Sequence, residues 1–410
     1  MPLYVYIIHE SSVRLWGLSA SDRICRMLGQ KRDISLVSDP SAVPVDDRLL
    51  VLRGDYLFDG RVLEAITELR DVLLTAGPDS APVAVAANVS GGAATTAAAL
   101  LDGTIAASAN SAGLEVLRFD GIATAFEERL RKSDLPFVLP VTAHNAEERE
   151  KLLFGAAYKG ITDFITKWVW PRPALQGVRI CTKLGLRPNH VTALSWVLAI
   201  LAGLLFWGGY PGPGLICGWL MTFLDTVDGK LARVTVTSSK FGHLFDHVLD
   251  LVHPPFWYLA WGAGLASYQP GILPADMAVA MWIIFVGYIA GRLIEGSFQF
   301  FFGRFGIFSW KKLDSYSRLI TARRNPCLLL LTVSAIAGRP DLGLEAVAIW
   351  TLVSTAFLLF RLAMAFYERT TGGRVVSWLV EARDDPTDRS LAVRWFAGGS
   401  RAHQEQDRGN

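Results

Sequence analysis

The chain is poor in cysteine and in net charge. Its four cysteines, Cys25, Cys181, Cys217 and Cys327, lie far apart with no C-x-x-C pair, which argues against a disulfide framework and against a cysteine zinc site. Its 40 basic residues stand against 38 acidic ones, a formal charge of +2, so no global field draws the chain to nucleic acid. The first residues lack a basic stretch leading into an apolar core and a small-residue cleavage site, and no signal peptide is expected. Charge is also scarce locally. Residues 188–370 are dominated by apolar runs, whereas residues 1–150 carry mixed charge. A chain of 410 residues, 51% of them hydrophobic, is expected to divide into two or more domains.

What is present is a series of apolar runs at 191–208, 214–224, 251–268, 277–291, 326–338 and 346–366. The first, VTALSWVLAILAGLLFWG, is uncharged and about long enough to cross a bilayer core. The third contains Pro254 and Pro255, expected to kink a helix. The fifth is short. Soluble helices alternate polar and apolar faces, and six uniformly apolar runs in series do not. The expected fold is therefore an α-helical integral membrane domain with six transmembrane helices over 188–370, preceded by a cytoplasmic α/β domain. Lys159, Lys167, Arg172, Arg179, Lys183 and Arg187 precede the first run, and Arg304, Lys311, Lys312, Arg318, Arg323 and Arg324 follow the fourth. Arg369 and Arg374 follow the sixth, and the opposite loops hold only Arg339. The excess of Lys and Arg on one side places both termini, and the connection between runs two and three, in the cytoplasm.

That connection reads LDTVDGKLARVTVTSSKFGHLFDHVLD. Asp225 and Asp228 are three apart and share a helical face; Asp246 and Asp250, four apart, do the same, with Gly242 one turn earlier. A turn near 237–239 would let two antiparallel helices bring both pairs together. Four converging carboxylates at a membrane surface repel one another, and one or two divalent cations relieve this. Oxygen-only ligands favour Mg²⁺, Mn²⁺ or Ca²⁺ over zinc. Gly229 and Gly242 leave room for a ligand, and Lys230 and Arg233 suit phosphate. Together these features point to a diphosphate substrate. The competing function is a non-catalytic membrane protein or cation transporter whose acidic cluster is a transit site, which would have no need of the glycines or the Ala-Arg step.

The pattern D-x2-D-G-x2-A-R-x8-G-x3-D-x3-D, carried by Asp225, Asp228, Gly229, Ala232, Arg233, Gly242, Asp246 and Asp250, resembles the signature of the CDP-alcohol phosphotransferase family, with no departure in spacing. RPNHVT at 187–192 is similar to the family's lead-in to its first span, and the resemblance extends over roughly 155–370. It implies an enzyme that cleaves the diphosphate of a CDP-linked donor, releases CMP and joins the remaining phosphoryl group to an alcohol or polyol phosphate, in phospholipid or polyol-phosphate synthesis. It further implies Mg²⁺ or Mn²⁺, two ions, held by Asp225, Asp228 and Asp246 with Asp250 completing the site. Asp250 is implied as the general base, and Asp225, Gly229, Ala232, Arg233 and Gly242 as contacts to the CDP donor. A homodimer among membrane lipids is also implied. Arg292, Arg323, Arg324 and Arg361 are candidates for the acceptor; charges such as Arg292, Glu295 and Arg361 within apolar runs ordinarily face a protein interior, where a mutual salt bridge is the competing role. His243, His247 and His253 are expected to be packing groups.

In residues 1–140, YVYIIHE, ISLVSD and RLLVLRGDYLFD read as strands, and LSASDRICRMLG and GRVLEAITELRDVLL as helices, an α/β pattern. VLRGDYLFDGRVLEAI resembles the sugar-nucleotidyltransferase or cytidylyltransferase fold, which implies a metal-binding role for Asp55. The stretch after the first strand, HESSVRLWGLSA, has only Gly17 and Arg14 where that fold carries a Gly-rich basic phosphate loop, so a degenerate domain is expected. Residues 141–187 are expected to form a linker and an amphipathic interfacial helix, and 371–410 a cytoplasmic polar tail, mobile from Asp384 onward.

Overall fold

Branched and aromatic runs alternate with amphipathic helices through the first 140 residues, and the chain folds accordingly. The computed structural model describes residues 3–30, 32–78, 80–105, 113–128, 130–238, 240–268, 271, 275–303, 305–384 and 388–397, without the side chains of 240, 241, 243–247, 249, 250, 381, 383 and 384. In chain order come β1 (Leu3–Ile8), α1 (Ala20–Gly29), β2 (Ile34–Leu36), β3 (Arg48–Arg53), β4 (Tyr56–Phe58), α2 (Gly60–Glu68), β5 (Val72–Ala76), β6 (Val83–Ser90), α3 (Ala94–Asp102), β7 (Glu115–Arg118), α4 (Phe119–Ile122), β8 (Phe126–Glu127), β9 (Lys132–Ser133) and β10 (Val138–Pro140).

Six strands form one mixed sheet in the order β2-β1-β3-β6-β5-β7. β1 is parallel to β2 and β3, β5 is parallel to β7, and β6 runs antiparallel between β3 and β5. The central strand β3 is buried on both faces: Leu50 and Leu52 meet Val62 and Ile66 of α2, while Leu49 and Val51 meet Ala97 and Leu101 of α3. Helices on both faces explain why β3 reads as a continuous apolar run rather than an alternating one. Side-chain caps start the helices, with Ser19 accepting from Asp22 N at 3.1 Å and Asp59 from Arg61 N at 2.9 Å. The helix expected over 60–74 ends at Glu68, because Val72–Ala76 is buried throughout and pairs with β6 and β7 as a strand.

Residues 141–187 hold two separate helices rather than one continuous one. α5 (Ala146–Ala156) stops, a π-helical turn covers Ile165–Val169, and α6 (Pro171–Lys183) follows. The break falls at Gly160, where an added Cβ would lie 2.5 Å from the carbonyl oxygens of both Arg131 and Phe396. Two distant segments pinch the chain there, and only glycine fits.

Then come α7 (Pro188–Trp207), α8 (Pro211–Val234), α9 (Lys240–Tyr268), α10 (Ala278–Phe302), α11 (Lys312–Ile320), α12 (Arg324–Ile336), α13 (Pro340–Thr370) and α14 (Trp378–Asp384). Among the described residues α7, α10 and α13 are each long and apolar enough to cross a membrane, and α11 with α12, bent by 41°, forms a fourth such unit. In the most apolar stretches of the three, only 33%, 17% and 28% of residues are buried inside the protein. Outward-facing Ile200, Trp282, Val286, Leu352 and Phe360 are what a lipid-facing surface requires. The helices meet around Phe206, Trp257, Trp261, Leu328 and Leu344. α9 runs through Pro254 and Pro255 without interruption.

The C-terminal segment departs from the mobile tail expected of it. Trp378, Leu379, Val393 and Phe396 are buried with Phe298 and Trp310. Trp378 Nε1 donates to Ser315 Oγ at 2.9 Å, and Lys312 Nζ meets Asp388 at 2.6 Å. Its sparse apolar residues are spaced to reach one core, which its polar composition conceals. Residues 398–410 lie outside the described residues.

Candidate active site

α8 starts at Pro211, whose missing N–H is no loss in the first turn, and turns polar from Asp225 onward. Asp225 and Asp228 fall there, on one side. Asp228 is almost fully buried, and its Oδ2 lies 2.6 Å from Thr192 Oγ1 of α7. The same hydroxyl lies 3.1 Å from Pro188 O; the shorter, charged contact takes the proton. Asp225 Oδ2 meets Arg324 Nη2 of α12 at 2.5 Å, with both side chains about 15% exposed. Three helices thus fix the first carboxylate pair: α8 carries it, α7 orients one member and α12 charge-balances the other.

The basic residues of α8 lean toward the end of α5. Lys230 is buried, with Nζ 3.7 Å above the Tyr158 ring, a cation–π contact. Arg233 Nη1 donates to Ala157 O at 3.2 Å. The Arg233 guanidinium lies over Gly229, where an added Cβ would make ordinary contact with it at 3.6 Å. Ala232 lies on the same turn.

The helix ends at Val234 and α9 begins at Lys240, so the break between the two helices includes the expected turn near 237–239. Gly242 lies in the first turn of α9, half-buried. Asp246 and Asp250 follow one and two turns later on that helix, and their side chains, with those of His243 and His247, lie outside the described residues. His253 stacks edge-on against Trp257 at 4.6 Å. Among the described residues no three His, Cys, Asp or Glu side chains gather as a metal site.

The four arginines considered for an acceptor separate into three places. Arg324 belongs to the Asp225 pair. Arg292 and Arg323 share Glu295: Arg292 Nη1 lies 3.8 Å from it, and Arg323 Nη2 bonds to its carboxylate. Arg318, beside Phe308, feels the same charge. Arg361 is bound by Asp314 through Nε at 2.5 Å and Nη2 at 2.8 Å and lies 4.4 Å from the Trp310 ring centre. In the N-terminal domain Asp55 is held by Arg53 through two bonds of 2.9 and 2.6 Å, and Arg14 closes a turn onto Gly17 O at 3.3 Å.

Thr192 and Tyr158 went unnoticed in the sequence. Thr192 stands in the RPNHVT lead-in, which was its signal; Tyr158 has none, because its contact with Lys230 spans 72 residues.

Residues 186–308 match the family model described as CDP-alcohol phosphatidyltransferase. The chain is 24% identical over 301 residues to the bifunctional IPC transferase and DIPP synthase of Archaeoglobus fulgidus, covering 65% of this chain and 57% of that protein. It is 36% identical over 70 residues to the archaetidylinositol phosphate synthase of Pyrococcus horikoshii, 16% of this chain and 36% of the relative. The chain therefore spans little more than half of the former's length and about a third of the latter's. Among solved structures, the phosphatidylinositol phosphate synthase of Mycobacterium tuberculosis with CDP-DAG bound is 17% identical with a TM-score of 0.37, over 47% of this chain and 94% of that one. The match to the CDP-alcohol phosphatidyltransferase model is confined to residues 186–308.

Proposed function

We propose that this protein transfers a phosphoryl-alcohol or phosphatidyl group from a CDP-linked donor to an acceptor alcohol and releases CMP. The observation that carries the reading is the convergence on α8 of Asp225 and Asp228, fixed by Arg324 and Thr192, in a helix that turns directly into the one bearing Gly242, Asp246 and Asp250. The donor set fits Mg²⁺ or Mn²⁺: the ligands are carboxylate oxygens, and those of Asp225 and Asp228 are largely removed from water. Asp225, Asp228, Asp246 and Asp250 would hold two such ions, which when bound neutralise the diphosphate and improve CMP as a leaving group. The acceptor oxygen attacks the phosphorus attached to the donor alcohol, the bridging P–O bond breaks, CMP leaves, and Asp250 takes the acceptor proton. Gly229, Ala232 and Gly242 make room for cytidine, and Arg233 faces the phosphates.

The six apolar helices α7, α8, α9, α10, α12 and α13 form the membrane domain, with the α8–α9 turn and both termini on the cytoplasmic side, as the Lys and Arg distribution favours; the protein is an integral membrane homodimer. The acceptor is a polyol phosphate. Arg292, Arg318 and Arg323 outnumber the two carboxylates that act on them, Glu295 and Asp163, and two relatives are named for inositol phosphate products. The N-terminal domain makes no CDP-alcohol of its own, since Asp55 is bound to Arg53 and the first loop has no glycine-rich cradle. The deciding experiment is CMP release by purified protein with Mg²⁺, CDP-diacylglycerol and inositol phosphate, glycerol phosphate or serine. CMP release dependent on one acceptor supports the reading. Mg²⁺ flux through proteoliposomes without CMP release supports the transporter instead.

A further inference from the structure

The C-terminus of α8 is capped from far away. Its last carbonyls can be followed one by one: Leu231 O accepts from Thr235 N at 3.0 Å, Ala232 O from Thr237 N at 2.9 Å, and Arg233 O from Val236 N at 3.3 Å. This is the two-bond closure that normally places glycine in the left-handed position after the helix. Here that position holds Val236 at φ 51°, a β-branched residue in a region that disfavours it. Such strain persists only where the surroundings over-determine the backbone.

The next two carbonyls show what supplies that constraint. Arg23 Nη2 donates to Val234 O at 2.8 Å and to Leu15 O at 3.0 Å, and Arg26 Nη1 donates to Thr235 O at 3.0 Å. Both arginines lie on α1 of the N-terminal domain, three residues apart and so on one face, and reach 211 and 209 residues along the chain. Arg23 is buried, and burial lowers its pKa to about 10, which leaves it cationic at neutral pH. Two cations thus meet the negative end of the helix dipole. Trp16 anchors the same contact: it is buried against Phe154, Val227 and Leu231, its Nε1 donates to Glu150 O at 3.0 Å and its backbone N–H to Glu150 Oε1 at 2.9 Å.

We infer that the N-terminal α/β domain serves as a clamp on the α8–α9 turn, with Arg23 and Arg26 as positioning residues that set the approach of the Asp225/Asp228 pair to the Asp246/Asp250 pair. The inference rests on the phosphotransfer reading for its consequence and on the caps themselves for its geometry. A nucleotidyltransferase-like domain without its phosphate loop thereby retains a role, holding the turn between the two halves of the motif from outside the membrane domain.

The test uses full-length protein in lipid nanodiscs: wild type, Arg23→Ala, Arg23→Lys, Arg26→Ala and the double variant Arg23→Ala/Val236→Gly. Three quantities are read: Mn²⁺ binding by electron paramagnetic resonance, amide exchange over residues 232–237, and kcat and KM for CMP release. Arg23→Ala should raise the Mn²⁺ half-saturation by about 10-fold, as loss of an outer-shell support does. It should lower kcat by roughly 10², the effect of misplacing reacting groups by about an ångström, and speed exchange at 232–237. Arg23→Lys should recover part of each. Val236→Gly should recover most, because glycine closes the helix without outside help; Mn²⁺ affinity and KM are read on the folded fraction, so a mere change in the yield of folded protein would not move them. Arg26→Ala, whose side chain is exposed, should show the same pattern more weakly and covers the case in which Arg23→Ala does not accumulate. Wild-type values of Mn²⁺ affinity, exchange and kcat in folded Arg23→Ala or, failing that, in Arg26→Ala overturn the clamp. A wild type that binds Mn²⁺ yet releases no CMP overturns the phosphotransfer reading instead, and Mn²⁺ binding with exchange then judges the clamp alone.

Discussion

Asp225 and Asp314 each meet an arginine at 2.5 Å, and the two pairs differ in nearly everything else. The Asp225–Arg324 pair is partly open, each side chain about 15% exposed, at the polar end of α8. The Asp314–Arg361 pair is sealed, at 2% and 6%, with the guanidinium beside Trp310 and Asp314 also accepting from Lys311 N at 3.0 Å. A sealed pair with its remaining valences filled is a packing element, costly to break and inert to solutes. A pair at an open rim can exchange its cation for another. A charge within an apolar helix therefore marks function only when its partner can be replaced.

The largest effect should come from the open pair. Asp225→Asn should lower CMP release by at least about 10²-fold, the usual worth of one preorganised charge, with the protein still folding and inserting, because only charge is lost. Asp250→Asn should lower turnover by roughly 10²–10⁴ as a lost general base while keeping much of the donor affinity. Calorimetry with the CDP donor at saturating Mg²⁺, set beside CMP release, separates the two. Equal loss of donor binding in both variants makes Asp250 a ligand rather than the base.

The sealed pair should fail differently. Arg361→Ala strands the Asp314 carboxylate and should destabilise the fold by about 3–5 kcal/mol, whereas Arg361→Met with Asp314→Leu should recover most of it. Thermal unfolding in detergent checks this. A well-folded Arg361→Ala with a raised acceptor KM would return Arg361 to the acceptor site and erase the contrast.

Between these extremes stands the Arg292–Glu295–Arg323 group. Arg323→Ala removes one charged contact, worth roughly 1.5–3 kcal/mol, and should raise the acceptor KM by about ten-fold or more with the donor KM unchanged. An effect on the donor KM alone would move this group to the CDP side.

Much of this was legible in the sequence, for identifiable reasons. The spacing of Asp225, Asp228, Gly229, Ala232 and Arg233 is local, so one helix suffices to place them, and the reversal before Lys240 could be read from the same stretch. The α/β character of residues 1–140 followed from alternation, although β5 read as helix because a fully buried strand and a buried helix segment look alike over five residues. The partners of the motif were not legible. Thr192, Arg324, Tyr158, Arg23 and Arg26 reach it from 36 to 211 residues away, and nothing in one sequence reports such distances. The packing of 388–397 was missed because a few apolar side chains among charges suffice once a core is waiting for them.

The smallest expected effect tests the boundary between the two regions, where Lys167 lies in the π-helical turn before α6. Its Nζ donates to Gly160 O at 2.8 Å and lies 5.3 Å from the Phe396 ring centre. Burial lowers its pKa to about 8, against a weaker opposing pull from Asp134. The folded-state value is below the unfolded one, so between about pH 8 and 10.5 the unfolded chain holds the proton that the folded chain has released. Stability then rises with pH through that window, and below about pH 8 the burial penalty is fully present. From pH 7.5 to 9.5 the wild type should gain about 1–2 kcal/mol relative to Lys167→Met, which has no proton to release. The readout is the difference in unfolding temperature between the two proteins in the same detergent at each pH. A difference that stays constant, or moves the other way, would mean that water reaches Lys167 and that the seam formed by Gly160, Phe396 and the N-terminal domain is open.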